Sequence, residues 1–402
     1  MKLGLDPTDA LVIACARCTF DDRQRADIRA TVERGVDWQR ALALAEKHYV
    51  VPLLFKSLAA CRDVVPEAAY RQLAEQRKLL RFRAELFSDE LVRVSAALDA
   101  AGVSVLHYKG PVSSELLYGN RYLRTYFDLD FLVRREDLRA VSRLLRDSGY
   151  RCDDNLSTDE SRERFEHDQK EYVFVSGLLC IEPHWSLTAR RYPFPIDYKG
   201  LWERSVFHDF GGAQLRTFSA VDMLLILSMV GAKSRWKRLQ MITDVAQFYR
   251  SMRPELAQPV LERATSLGCE RIVLVGAHLA ETLLQAPIPA AVRARIDADR
   301  AAVESIGSRV IRSLFSLKPK GTLLADSPHI FSPLLYSMRE RGRDRLTYFL
   351  QTTTTPDPVH FRRFPLPRWA YPAYRVLVPA YDYGFTPIAR SLRSFVRSHG
   401  GA

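Results

Sequence analysis

The sequence predicts an α+β fold, with a small mixed sheet set between two large helical parts, and three observations carry that prediction. Residues 102–133 read in the order strand, glycine turn, helix, strand. Two apolar runs meet at Gly177 as the arms of a β-hairpin do. On either side of this unit apolar residues return every three or four positions, the period of an amphipathic helix. These patterns divide the 402 residues into a helical region at 1–100, a sheet-bearing unit at 101–210, a second helical region at 211–320 and an extension at 321–402.

In the first region Ala41, Leu44 and Ala45 with the run 50–54 predict one helical stretch. Leu79, Phe82, Leu86, Leu91, Val94 and Leu98 predict a second, with that apolar face turned inward. His48 is expected there as a packing or capping residue. Residues 102–108 form a strand that Lys109-Gly110-Pro111 ends. Pro111 suits the first turn of a helix running to Tyr118, because its fixed φ fits there and its missing N–H is not needed. Residues 127–133 form the next strand. A helix follows at 135–149, with Leu138, Val141, Leu144 and Leu145 on one face and Gly149 at its end. The polar stretch 151–169 reads as a mobile loop. The hairpin strands, 171–176 and 178–185, then put Glu182 and His184 on one face. Pro183, which cannot donate to a ladder, argues that this strand ends or lies at a sheet edge. Ser219 is an N-cap candidate with Asp222 three residues on. Lys233, Arg235, Lys237 and Arg238 surround Trp236 on the exposed side of a helix, and residues 352–358 read as a linker.

Alternate side chains of a strand share a face, so Asp128 and Asp130 stand side by side while Phe127, Leu129 and Phe131 point the other way. Each carboxylate raises the other's pKa unless a cation neutralises them, and the strand supplies none. A hard, oxygen-seeking divalent ion such as Mg²⁺ is the natural partner. The helix behind Gly110 offers unbonded N–H groups and the positive end of its dipole to a phosphate, with Ser113 and Ser114 adding hydroxyls. Lys237 and its basic neighbours are either solvated or, beside a metal-bound triphosphate, placed to hold its phosphates.

Composition, at 47% hydrophobic and 26% charged residues, is that of a folded globular chain and excludes wholesale disorder. The longest apolar run, 223–232, is half of the roughly 20 residues a membrane-spanning helix needs, and an acid stands where a secretory signal would have its apolar core. A cytoplasmic location is expected. Six scattered cysteines, including an isolated Cys15-x-x-Cys18, read as reduced structural thiols. The net charge of +12 calls for polyanionic company: nucleotide, nucleic acid or the anionic face of a membrane. From residue 331 onward there are eleven Arg and no Lys against four acids, so over half of the excess lies in the last fifth of the chain. Its interleaved Arg, aromatic and Pro residues at 361–383 suit stacking on bases or peripheral membrane contact, but packing of this segment back on the body is expected.

Together these residues resemble the nucleotidyltransferases of the DNA polymerase β type, which carry a glycine turn, an Asp-x-(Asp/Glu) strand and a third carboxylate on a later strand. The nearer likeness is to the bacterial branch labelled uncharacterised nucleotidyltransferase, in which a Lys-Gly turn stands where others have Gly-Ser. The matching residues here are Lys109-Gly110, Leu117-Tyr118-Gly119, Arg124, Asp128-Leu129-Asp130 and Glu182-Pro183-His184-Trp185. Asp37-Trp38, Ala45-Glu46-Lys47-His48 and Val51-Pro52-Leu53 match upstream, and 236–244 downstream. There are two departures: Glu182 stands where Asp is more usual, and the glycine turn lies farther from the Asp pair than in the polymerase-type signature. The resemblance implies a polymerase β-type catalytic domain at 101–210 that moves a nucleoside monophosphate from an NTP, such as ATP, to a hydroxyl of a small molecule, peptide or RNA. By the same resemblance Asp128, Asp130 and Glu182 are the catalytic acids and hold Mg²⁺ or Mn²⁺. Lys109, Gly110, Ser113, Arg124, His184 and Lys237 attend the nucleotide, with His184 orienting Glu182 or the acceptor, or held structurally. Glu171 and Asp244 are the alternatives to Glu182. A rival from another class is a catalytically degenerate protein of the same fold that binds RNA or a protein partner.

Overall fold

A computed structural model describes residues 5–152, 159–315 and 331–355, together with Ala370 and Ala373. Four short helices, α1 (Pro7–Cys15), α2 (Asp22–Glu33), α3 (Trp38–Lys47) and α4 (Val51–Ala59), lead into α5 (Glu67–Ala100), a helix of 34 residues. Asp6, Asp21 and Asp37 cap the first three by accepting from backbone N–H groups of the first turn. The central unit follows as β1 (Val105–His107), α6 (Gly110–Tyr118), β2 (Leu129–Val133), α7 (Leu138–Asp147), β3 (Arg151–Cys152), α8 (Asp159–Asp168), β4 (Phe174–Ser176), β5 (Leu179–His184), α9 (Tyr198–Glu203), β6 (Val206–Phe210) and β7 (Ala213–Thr217). Helices α10 (Ala220–Lys233), α11 (Leu239–Ser251), α12 (Ala257–Leu267), α13 (Glu270–Leu284), α14 (Ala290–Ala298) and α15 (Arg300–Leu314) make the second helical region. Two more, α16 (Pro333–Ser337) and α17 (Gly342–Thr354), lie beyond it.

The strands join in one mixed seven-stranded sheet of order β3-β4-β5-β2-β1-β7-β6. β2 is central, antiparallel to β1 on one side and parallel to β5 on the other. One face carries Leu106, Tyr108 and Leu132 into a large core shared with α1, α3, α4 and α10–α15. The other carries Val105, Leu129, Phe131, Val133 and Ile181 against α7 and the second half of α5. Because side chains alternate along a strand, Asp130 lies on the same face as Leu132, toward the helical body.

Several expectations need correction. Asp128 is not in the strand: β2 begins at Leu129, where its ladder with β5 begins. The sheet extends past the expected limit at 210, because β6 and β7 close its far edge to Thr217. Leu79 and Phe82 are exposed, since α5 touches the N-terminal helices with Ala69 and Leu73 and the sheet only from Ala84 onward, leaving its middle between two cores. Part of the expected loop 151–169 is α8, and Thr352 to Thr354 belong to α17. Pro183 lies in an interior strand, paired in register with Phe131, one residue before that strand's end. Apart from Ala370 and Ala373, the basic, aromatic segment 361–383 lies outside the described residues. All six cysteines are free thiols, and among the described residues no helix is long and apolar enough to cross a membrane.

The N-terminal helices reach the centre of the molecule through His48, which is fully buried. Its Nδ1 accepts from the Leu239 N–H at 3.2 Å and its carbonyl from the Gln240 N–H at 3.2 Å, so it caps α11. The Gln240 amide in turn bonds both backbone groups of Thr125 at 2.9 and 3.0 Å, fixing the segment that leads into β2.

Burial pushes the imidazoles of His48 and His107 down from 6.5 to about 3 and about 4. Each is neutral when folded and takes a proton when unfolded. Their contribution is therefore complete above the unfolded value and is lost as pH falls from there toward the folded value, by about 2 kcal/mol each at about pH 5. Between pH 7 and pH 5, urea titrations should show His48→Asn, which keeps an acceptor for α11 but does not titrate, losing about 2 kcal/mol less unfolding free energy than the parent does; an equal change in the two would acquit His48.

Candidate active site

The parallel pairing of β2 with β5 sets Asp130 opposite Glu182 and Leu132 opposite His184. Glu171 joins them because it bridges back to His184 just before β4, with the Tyr172 N–H donating to the Pro183 carbonyl at 3.3 Å. One ligand atom from each of Asp130, Glu171, Glu182 and His184 falls within 4.8 Å of all the others. Asp130 is 3% exposed, while Glu171 and Glu182 are partly open to solvent. Three carboxylates so close repel one another, and the protein answers with two lysines and an imidazole. Lys109 Nζ donates to Asp130 Oδ1 at 2.6 Å, Lys170 pairs with Glu171, and His184 Nε2 lies 2.7 Å from Asp130 Oδ1.

Burial alone would raise the Asp130 pKa, but Lys109 and then His184 hold it well below the usual carboxylate range. Asp130 is thus ionised and accepts, and His184, whose own pKa burial and Lys170 depress, carries its proton on Nε2 and donates. In this tautomer His184 supports Asp130. Asp128, half-buried one residue before β2, is pushed up to about 7 by burial and by Asp130, against the pull of Lys109. It stands beside the converging set without belonging to it. Asp130 Oδ2 is buried with no hydrogen-bond partner, and such an atom among carboxylates is a fitting donor for a hard cation.

The remaining predicted residues fall into two groups. Gly110 takes φ +60°, where a side chain is strained, and a Cβ there would sit 3.5 Å from the Asp128 carbonyl oxygen. The Lys-Gly turn therefore abuts the Asp pair despite its distance in sequence. Ser113 and Ser114 are buried and donate to the carbonyls of Tyr108 and Asn120, at 2.6 and 2.8 Å, which makes them braces of α6. Arg124 pairs with Asp244 at 3.1 Å, and the Tyr118 hydroxyl donates to the same carboxylate at 2.7 Å. Asp244 is thereby the tie between α6, the approach to β2 and α11, and lies outside the acid cluster.

The basic residues around Trp236 are not on a helix face. Lys233 ends α10, and Arg235, Lys237 and Arg238 occupy the turn between α10 and α11, where Arg235 and Trp236 take φ of 57° and 52°. Trp236 is fully buried, its ring against Gly231 and Gly276, where a Cβ would come within 2.3 and 3.0 Å of it. With the indole as anchor, Lys233, Arg235 and Lys237 turn outward to line a cavity of about 200 Å³ shared with Lys170 and Arg191. Lys170 connects this cavity to the carboxylates through Glu171. Burial and the crowding of Lys109 bring Lys233 down to about 8, and burial with Lys233 and Lys109 depresses Lys170 as well. Lys170 and Arg191 escaped notice in the sequence, although Lys170 directly precedes Glu171; the folded bridge of Glu171 to His184 gives Lys170 its place, and the cavity it lines gives Arg191 its own. Lys237 is exposed at the cavity rim.

The family described as uncharacterised nucleotidyltransferase matches residues 34–285, a stretch that contains the acids and the lysines above. No curated protein and no solved structure matches the chain.

Gly231→Ala should force the Trp236 ring from its seat. The expected result is a loss of about 1–3 kcal/mol in unfolding free energy, the usual cost of overpacking, read by chemical denaturation. Stability at the parental value would show that the ring moves freely and does not anchor the turn.

Proposed function

The chain belongs to the uncharacterised nucleotidyltransferase family, and from that premise we propose that it transfers a nucleoside monophosphate from an NTP to a hydroxyl of an acceptor. One observation carries the reading: register-paired carboxylates, Asp130 and Glu182, adjoin a cavity lined by cations. Acids alone would suit any metal protein, and cations alone any anion. Side by side they suit a polyanion that brings a metal with it.

Asp130, Glu182 and Glu171, with Asp128 beside them, would hold Mg²⁺ or Mn²⁺, which supplies charge neutralisation to phosphate oxygens and acidity to an attacking hydroxyl. The chain's own groups do the rest. Lys109, at the turn beside Asp128, and Lys233, Lys170 and Lys237, at the cavity, neutralise the phosphates of the donor. Phosphate oxygens arriving there relieve the mutual repulsion of these lysines, so binding energy is available to hold the reacting phosphorus against the carboxylates. His184 keeps Asp130 oriented. The rival, a degenerate binder, has one observation in its favour: Lys109 already neutralises Asp130 from within. Metal dependence separates the two.

Calorimetry should show NTP binding with Mg²⁺ and little in EDTA, and Asp130→Asn should remove the difference; equal affinity in both conditions would establish the degenerate reading. Lys109→Ala should weaken NTP binding by roughly 1.5–3 kcal/mol, the worth of a charged hydrogen bond.

In a turnover assay with labelled NTP, Glu182→Asp should retain measurable transfer. Glu182→Gln, which keeps shape and loses charge, should lose orders of magnitude in rate while still binding NTP. Near-parental turnover by the Gln variant would shift the role to Glu171.

A further inference from the structure

Phe127 immediately precedes Asp128 and is 38% exposed. Its ring lies 5.1 Å from that of Tyr49, tilted by 56°. The Arg83 guanidinium sits over the Phe127 ring at 4.6 Å, and that of Arg238 over the Tyr49 ring at 3.9 Å. Four separate segments meet here: the turn between α3 and α4, the middle of α5, the approach to β2 and the turn between α10 and α11. Tyr49 adopts φ 62°, an uncommon conformation for a residue with a side chain. The cluster adjoins the carboxylates through Asp128, the next residue after Phe127. It adjoins the cationic cavity through Lys237, the residue before Arg238.

Rings alone would suit any apolar ligand. Guanidinium groups over two neighbouring rings narrow the choice, because their flat cationic faces attract π-systems and anions but gain nothing from an aliphatic chain. A planar heterocycle attached to phosphates satisfies both features. We propose that Tyr49, Phe127, Arg83 and Arg238 form a stacking platform for a nucleobase beside the carboxylates. The base is that of the donor nucleotide or the terminal base of a single-stranded acceptor. The assignment rests on the nucleotidyl-transfer reading and adds to it the part of the ligand that the acids and lysines do not address.

The test compares the parental protein with Phe127→Leu and Tyr49→Leu, which keep apolar bulk and remove the aromatic face. Each is titrated in Mg²⁺ with inorganic tripolyphosphate, with ATP and with a short unstructured oligonucleotide, alongside thermal melts. Both variants should melt near the parental temperature and bind tripolyphosphate as the parent does. Affinity for a base-bearing ligand should fall by about tenfold or more, as removal of one stacking partner does. A fall for ATP assigns the platform to the donor; a fall for the oligonucleotide alone assigns it to the acceptor. Unchanged binding of both, or a parallel loss of tripolyphosphate binding, overturns the platform. A parental protein that binds none of the three ligands overturns the nucleotidyl-transfer reading itself, and the platform with it.

Discussion

Asp130 and Glu182 lie opposite each other on neighbouring parallel strands, and most of the central architecture follows from the need to keep the buried Asp130 charged among its neighbouring acids. A buried carboxylate without a partner costs several kcal/mol, a large share of the 5–15 kcal/mol by which a domain is held together. The fold meets this cost with groups from unrelated elements. Lys109 comes from the turn after β1, His184 from the end of β5 and Lys170 from the bridge before β4. Lys233, at the end of α10, adds a further positive charge that no carboxylate fully absorbs. Acids neutralised from within, beside lysines that repel one another, leave positive charge of the kind that suits an anion.

The geometry of that site is inherited from helices that never touch it. His48 caps α11, Gln240 of α11 grips Thr125, and Asp244 of α11 holds Arg124 and Tyr118. The approach to the acid pair is therefore clamped from one helix, whose own start is fixed by the N-terminal region. Trp236 does the corresponding work for the cations: its indole fills space that Gly231 and Gly276 leave, and the turn around it faces outward as a result. The family match at 34–285 takes in α3 through α13 as well as the sheet, in keeping with a site whose supports are spread over the helical body.

Much of this was legible in the residues themselves, and the boundary has a physical cause. Patterns of period 2 and 3.6, the Lys109-Gly110-Pro111 break, the Gly177 hairpin and the Ser219 cap are local properties of the chain, settled within a few residues, and the sequence by itself determined the α+β class and these elements. It also marked Asp130, Glu182 and Lys109 as chemically out of the ordinary. Tertiary structure decided what depends on distant segments meeting. It left Asp128 outside the strand, because no neighbouring strand pairs there, and exposed Leu79 and Phe82, because α5 spans the gap between two cores. It turned Ser113, Arg124 and Asp244 into braces, brought Glu171 and Lys170 to the acids through one bridge to His184, and moved the basic cluster from a helix face to a turn pinned by Trp236. Periodicity records which way a side chain faces relative to its own backbone; which partner waits there is set only when the chain closes on itself.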